Sequence, residues 1–296
     1  MSKISKKTVL KISVSVVLLA VILFKVDKKQ LVQNISMMNP WFIPIIVGLI
    51  VLNYFVSSVR WKKLLIHSDT SRISVRYLTS LYFIGSFFNN FMPTSVGGDV
   101  YKVVKLGKKL GNNTDAFTAT FMERFTGVVA LVCISSGALI KLLGIWGGLI
   151  FLAVLAGIPI GYIALGFASK RIKKLQKIYA SISAYKKVPK VLLFAFLTSF
   201  IVQLCSIFAQ YFVFMSVGAH FSPFYAMFIF PIIILAGFFI PSLNGIGVQD
   251  ALYIQLIAQP TPNLTADLAL SASVLFHLMR LGVSLVGGVL YAFNKD

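Results

Sequence analysis

Apolar runs long enough to cross a bilayer recur from one end of this chain to the other, and two of them are interrupted in the same way. The first interruption reads Phe91-Met92-Pro93-Thr94-Ser95-Val96-Gly97-Gly98-Asp99. The second reads Phe239-Ile240-Pro241-Ser242-Leu243-Asn244-Gly245-Ile246-Gly247-Val248-Gln249-Asp250. Each passes from an aromatic residue through an aliphatic one to Pro, a hydroxyl, two close glycines and Asp. Pro cannot continue helical hydrogen bonding, and Gly admits turns closed to other residues. In hydrocarbon, backbone of this kind survives only when it is buried in protein or lines a wet cavity. Two Pro/Gly-interrupted apolar segments at matching places in two halves point to the binding site of a transporter.

The chain has 296 residues, 58% hydrophobic and 12% charged, against about 25% charged for a soluble domain. The expected fold is all-α, a polytopic membrane helix bundle with about six full spans. These lie at roughly 9–26, 41–59, 117–140, 142–168, 190–217 and 266–292. Two broken regions, 75–110 and 223–258, are expected as re-entrant helix pairs in an inverted repeat. Residues 1–296 read as one integral membrane domain: a first span with its flanks (1–40), repeat one (41–140), a linking span with a basic loop (141–189) and repeat two (190–296). The Lys-rich start also fits a signal peptide. A retained first span is preferred, because no small-residue cleavage signature follows Leu23 and Lys25, Lys28 and Lys29 come directly after. Cys133 and Cys205 fall inside predicted spans, so neither a disulfide framework nor a metal site is expected.

A net charge of +20 raises the question of nucleic acid, but placement argues otherwise. Basic residues gather in four connections. These hold Lys3, Lys6, Lys7 and Lys11; then Arg60, Lys62, Lys63, Arg72 and Arg76; then Lys102, Lys105, Lys108 and Lys109; then eight between Lys170 and Lys190. Segments 218–222 and 241–267 hold no Lys or Arg. This is the positive-inside bias, and such clusters also attract anionic headgroups. It predicts a plasma-membrane protein with both termini cytoplasmic. The first broken region then enters and leaves on the cytoplasmic side, and the second dips from outside. Lys25, Lys28 and Lys29 would face outward, against the bias.

After each interruption a new half-helix should start, with free N–H groups and the positive end of its dipole. Such an end suits phosphate or carboxylate. Asp99 and Asp250 would be caps or cation partners. Thr94, Ser95, Ser242 and Asn244 offer neutral donors, and Asn89 and Asn90 precede the first break. Glu123 and Arg124 are adjacent within a span and point about 100° apart on a helix, so each needs its own partner. Asp99, Asp250 or a lipid phosphate would serve for Arg124. His277 and Arg280 share one helix face, with a packing hydrogen bond the plain reading for His277 and an ion pair or snorkelling for Arg280. Gln203 and Gln210 share another face and read as interhelical glue. Trp41, Trp61 and Trp146 lie near span ends, as interfacial anchors do.

The sequence holds no Walker-type loop, no G-x-S-x-G, no H-E-x-x-H and no Cys/His ligand set, and its only histidines are His67, His220 and His277. No metal, cofactor or catalytic residue is assigned. Asp99, Glu123 and Asp250 would serve as general bases if they converged.

Three motifs together resemble the lysylphosphatidylglycerol synthase transmembrane-region family, also called the flippase-like domain. They are Pro93 through Gly97-Gly98-Asp99 with Lys102 three later, Glu123-Arg124 followed by Gly127, and Pro241 through Gly245-Ile246-Gly247 with Asp250. The resemblance spans nearly the whole chain. The family usually carries Arg at the position of Lys102 and Glu at that of Asp250. Lys keeps the charge but loses the bidentate fork. In full-length synthases of the family a cytoplasmic aminoacyltransferase domain follows the membrane part. The resemblance implies only the membrane part here, so a lysyltransferase label would be inherited by name.

The expected function is movement of an anionic or aminoacylated phospholipid, or another lipid-linked substrate, between leaflets. Its headgroup would be bound by Pro93, Thr94, Gly97, Gly98, Asp99, Lys102, Glu123, Arg124, Pro241, Ser242, Asn244, Gly245, Gly247, Asp250, His277 and Arg280. The expected partners are membrane lipids, with a soluble enzyme as a further candidate and no nucleic acid. The alternatives are a phosphatidylglycerol lysyltransferase-type or other lipid-modifying membrane transferase, and a membrane subunit that positions a separate soluble enzyme.

Overall fold

Proline and glycine set most of the element boundaries. The computed structural model describes residues 28–91, 97–240, 242, 245–259 and 264–293. The predicted first span at 9–26, together with Pro93, Thr94, Ser95, Pro241 and Asn244, lies outside the described residues. Among those described, regular structure is helical throughout, with no strand.

Helix α1 (Lys28–Ser36) is short. Helix α2 (Phe42–Leu64) has 23 residues, about 34 Å at the usual rise, enough for a hydrocarbon core of about 30 Å. Helices α3 (Val75–Phe91) and α4 (Gly97–Leu110) make the first broken pair. Helix α5 (Asn113–Leu143) starts where the Asn112 side chain accepts from the Asp115 N–H at 3.0 Å, and ends at Gly144, φ 55°. Helix α6 (Ile145–Ser169) carries Pro159 inside it. Helix α7 (Lys173–Ala184) leads through a 3-10 turn at Tyr185–Lys187 into α8 (Pro189–Ser216), which Pro189 opens at the position where its missing N–H costs nothing. Helix α9 (Pro223–Phe239) and α10 (Val248–Tyr253) make the second broken pair. A π-helical turn continues α10 over Ile254–Ala258, and Tyr225 donates to its Leu256 carbonyl at 2.6 Å. Helix α11 (Ala266–Phe293) closes the described chain.

Five of these helices, α2, α5, α6, α8 and α11, are long and apolar enough to cross a membrane, and the fold is an all-α polytopic membrane bundle. Their limits fall within a few residues of the predicted spans. The order of long helix, broken pair, long helix occurs twice, as α2, α3–α4, α5 and as α8, α9–α10, α11.

The chain forms two compact units interleaved in sequence. The first comprises Met1–Leu52, Tyr82–Gly98 and Cys205–Asp296, the second Asn53–Leu81 and Asp99–Leu204. Within the first, Phe214, Phe230 and Tyr253 are buried and meet tilted or edge-on, with ring centroids 5.3–6.0 Å apart. Here α1 is tied to α11, Asn34 donating to the Ser271 hydroxyl at 3.2 Å. Within the second, Trp61, Leu64, Leu78 and Leu106 are fully buried, and Tyr185 donates its hydroxyl to the Leu64 carbonyl. Burial, with the Asp115 carboxylate adding to it, raises the Tyr185 phenol well above its ordinary pKa and keeps it a neutral donor. Trp41 and Trp146 are 81% and 69% exposed, as interfacial anchors should be, whereas Trp61 is wholly buried and anchors nothing at an interface. Cys133 and Cys205 are free thiols.

Candidate functional site

The first break is built on a close approach. A Cβ on Gly98 would stand 2.1 Å from the Gly85 carbonyl oxygen, so only glycine lets the start of α4 lie against α3. The Gly98 N–H donates to the Asn89 side-chain oxygen at 2.7 Å. One of the first N–H groups of α4 is therefore satisfied by a residue of α3. Asn90 donates to Ser284 on α11 at 2.7 Å. Both asparagines before the break thus have definite work.

With the N–H of Gly98 capped by Asn89, Asp99 faces cations instead. One turn on, Lys102 places Nζ 2.9 Å from Asp99 Oδ1, and Arg124 on α5 donates through Nε to Asp99 Oδ2. The neighbouring Glu123 turns elsewhere, as the 100° offset requires. Its Oε1 accepts from Arg60 at the end of α2 at 2.8 Å, and its Oε2 lies 3.9 Å from Lys102. Arg60 also donates to Ser199 on α8 at 2.7 Å. The Lys102 ammonium sits 5.1 Å from the centre of the buried Trp61 ring. All of this lies in the second unit. Three cations meet two carboxylates, so the cluster carries one positive charge in excess. Four of the five side chains are 4–10% exposed, and Arg124 alone reaches 29%.

The second break has the same sequence pattern and a different use for its acid. Helix α9 runs out at Phe239, with Ile240 in extended backbone, and Ser242 is buried. Gly245 and Gly247 take φ of 90° and 85°, the left-handed region where a Cβ is penalised. The Gly247 N–H donates to Asp250 Oδ2 at 2.6 Å, and Asp250 caps the start of α10. Its other oxygen accepts from Ser273 and lies 3.0 Å from His277 Nε2, both on α11. Three residues after Asp250, Tyr253 donates to Gln210 on α8. Arg280 lies one turn beyond His277, its guanidinium carbon 5.5 Å from the Phe276 ring centre. This network belongs to the first unit.

Of the residues named from sequence, Asp99, Lys102, Glu123 and Arg124 form one constellation. Gly245, Gly247, Asp250 and His277 form another, with Ser242 buried and Arg280 near it. Gly97 opens α4, and Gly98 makes the approach to α3. Gln203 and Gln210 serve as interhelical glue, the first donating to the Gly127 carbonyl at 3.1 Å. Arg60 and Lys102 both fall in basic clusters that set topology, and Lys102 is also an expected headgroup contact. Both are buried, because each has a carboxylate to meet. The sequence signal for Arg60 was its position: it precedes Trp61 and follows Ser57-Ser58 at the end of an apolar run.

The family model described as Lysylphosphatidylglycerol synthase TM region matches residues 8–288. No curated protein matches the chain, and no solved structure does.

Proposed function

The chain belongs to the lysylphosphatidylglycerol synthase transmembrane family, and from that premise we propose that it moves an anionic or aminoacylated phospholipid, or another lipid-linked substrate, between leaflets. The observation that supports this reading best is the five-charge cluster of Arg60, Asp99, Lys102, Glu123 and Arg124. Charges within membrane spans are costly, face interiors or wet cavities, and mark pathways. The cluster's excess cation suits a phosphate. Arg124, the most exposed member, meets it with a planar fork, and Lys102 adds a point charge. Asp99 holds both cations while no phosphate is present and is displaced from them when one arrives.

In this reading the second break supplies a further polar station, with Ser242, Asn244, Gly245, Gly247, Asp250, His277 and Arg280. Pro93 and Pro241 would hold the half-helices open, since proline cannot continue helical hydrogen bonding, and Thr94 would offer a neutral donor to the headgroup. Movement runs downhill or couples to an ion, and Asp99, Glu123 or Asp250 carries the proton if there is one. The basic connections face the cytoplasm of a plasma membrane.

Purified protein in liposomes tests this with headgroup-labelled phosphatidylglycerol and its lysyl ester. The lipid should change leaflet without a change in mass. Asp99→Asn and Asp250→Asn should each slow the exchange about tenfold or more, a barrier increase of about 1.4 kcal/mol, with normal expression. Wild-type exchange in both variants overturns the reading, and a mass change on adding aminoacyl-tRNA points to a transferase instead.

A further inference from the structure

Away from the charged cluster, α5, α6 and α7 enclose a groove of about 620 Å³, a volume typical of ligand sites. Its walls are apolar: Phe121 and Phe125 from α5, Ile158 and Leu165 from α6, Ile182 from α7. Two glycines of α6, Gly157 and Gly161, also line it. Helical glycine costs about 1 kcal/mol relative to alanine, and the usual return is close helix packing. Neither residue gives that return, since a Cβ at either position would meet nothing within 4 Å. What these glycines contribute is room.

One end of the groove is polar. Tyr162 and Ser183 share a hydrogen bond of 2.8 Å, and Lys186 lies 3.9 Å from the centre of the Tyr162 ring. Tyr162 also lines an adjoining recess of about 560 Å³ with Ser169, Lys170, Gln176 and Tyr179. Lys170 and Lys186 make no ion pair among the described residues. They belong to the stretch that carries eight basic residues between Lys170 and Lys190 and no acid. An apolar trough that adjoins a recess with several polar side chains, the two lined by Lys186 and Lys170, has the shape and charge of an amphiphile's complement. Apolar walls offer water few hydrogen-bond partners, and the surroundings of a membrane span supply hydrocarbon.

We propose that this double recess binds one anionic phospholipid of the bilayer, with an acyl chain in the groove and its phosphate at Lys170 and Lys186. None of its named residues belongs to the charged cluster, so the site stands or falls independently of transport. A zwitterionic lipid would gain the same tail contacts without the charge. Each lysine near a membrane surface favours an anionic lipid by about fivefold.

The test uses the full chain in nanodiscs of phosphatidylcholine doped with phosphatidylglycerol or phosphatidylcholine bearing a photoreactive acyl terminus. Labelled peptides are mapped by mass spectrometry. Phosphatidylglycerol should label the Phe125 and Leu165 peptides at least about fivefold more than phosphatidylcholine. The Lys170→Gln/Lys186→Gln double variant should bring that ratio toward one, and Gly161→Leu should abolish groove labelling by filling the open space. Competition on wild-type protein reads the same preference without a variant: unlabelled phosphatidylglycerol should displace the probe better than phosphatidylcholine. Equal labelling or equal competition by the two lipids, label on other helices only, or cross-links across the groove to a second copy of the chain would each overturn the assignment.

Discussion

Arg60 shows how much one buried residue can commit. Its guanidinium is 4% exposed and bonded to both Glu123 and Ser199. Removing Arg60 leaves the buried Glu123 carboxylate with only the longer Lys102 contact in a medium that solvates it poorly, at a cost of up to about 3–5 kcal/mol. Arg60→Met should therefore lower thermal stability sharply in detergent. Arg60→Met/Glu123→Met should recover much of the loss, since two apolar groups leave no orphan. Thermal melts of the three proteins check this, and additive losses would contradict the pairing. The residues of this cluster were unevenly legible beforehand. Asp99, Glu123 and Arg124 stand out because charges are scarce within apolar runs, and Lys102 through the resemblance, whose first motif has a basic residue three after Asp99. Arg60 does not, because a charge at the end of a span, beside Lys62 and Lys63, reads as orientation bias. Only a partner from another helix distinguishes a buried arginine from a solvated one.

At the level of elements, the two interruptions share a sequence pattern and differ in construction. Asn89 caps the first and leaves Asp99 to the cations; Asp250 caps the second itself. Sequence located both breaks and both acids, and it offered cap or cation partner for each. The choice depends on what the preceding helix presents: Asn89 reaches Gly98. Consequently Gly98→Ala should be worse than an ordinary helix substitution, because its methyl would collide with the backbone of Gly85. Loss of folded protein in fluorescence-detected size exclusion is the expected result. Asn89→Ala should cost about 1 kcal/mol, the usual value of a lost cap, visible as a modest fall in melting temperature. Asn89→Asp, which keeps an acceptor for the Gly98 N–H, should retain more stability than Asn89→Ala.

For the whole molecule, the question is which ends of the long helices share a side. Helix α8 has 28 residues, about 42 Å of helix, and joins the basic Lys186-Lys187 turn to a connection at Gly218 with no Lys or Arg. Its two ends should lie on opposite sides of the membrane. In a protein with Cys133 and Cys205 replaced by Ala, Lys187→Cys should react with an impermeant maleimide only after the cells are opened, and His220→Cys should react in intact cells. The reverse pattern would invert the orientation while leaving the fold untouched. Five of the six expected spans were readable because hydrophobic length is a one-dimensional property, and the sixth, at 9–26, lies outside the described residues. The interleaving of the two compact units was not, since it depends on which distant segments pack together.

The indole beneath Lys102 gives this protein a built-in optical gauge. Trp41 and Trp146 face outward, so replacing both with Phe leaves emission from Trp61 alone, a ring sealed from solvent and lit beside an ammonium group. Any guest that draws that ammonium aside changes the field across the ring, and the emission should shift as lipid is titrated in, without a label having been attached.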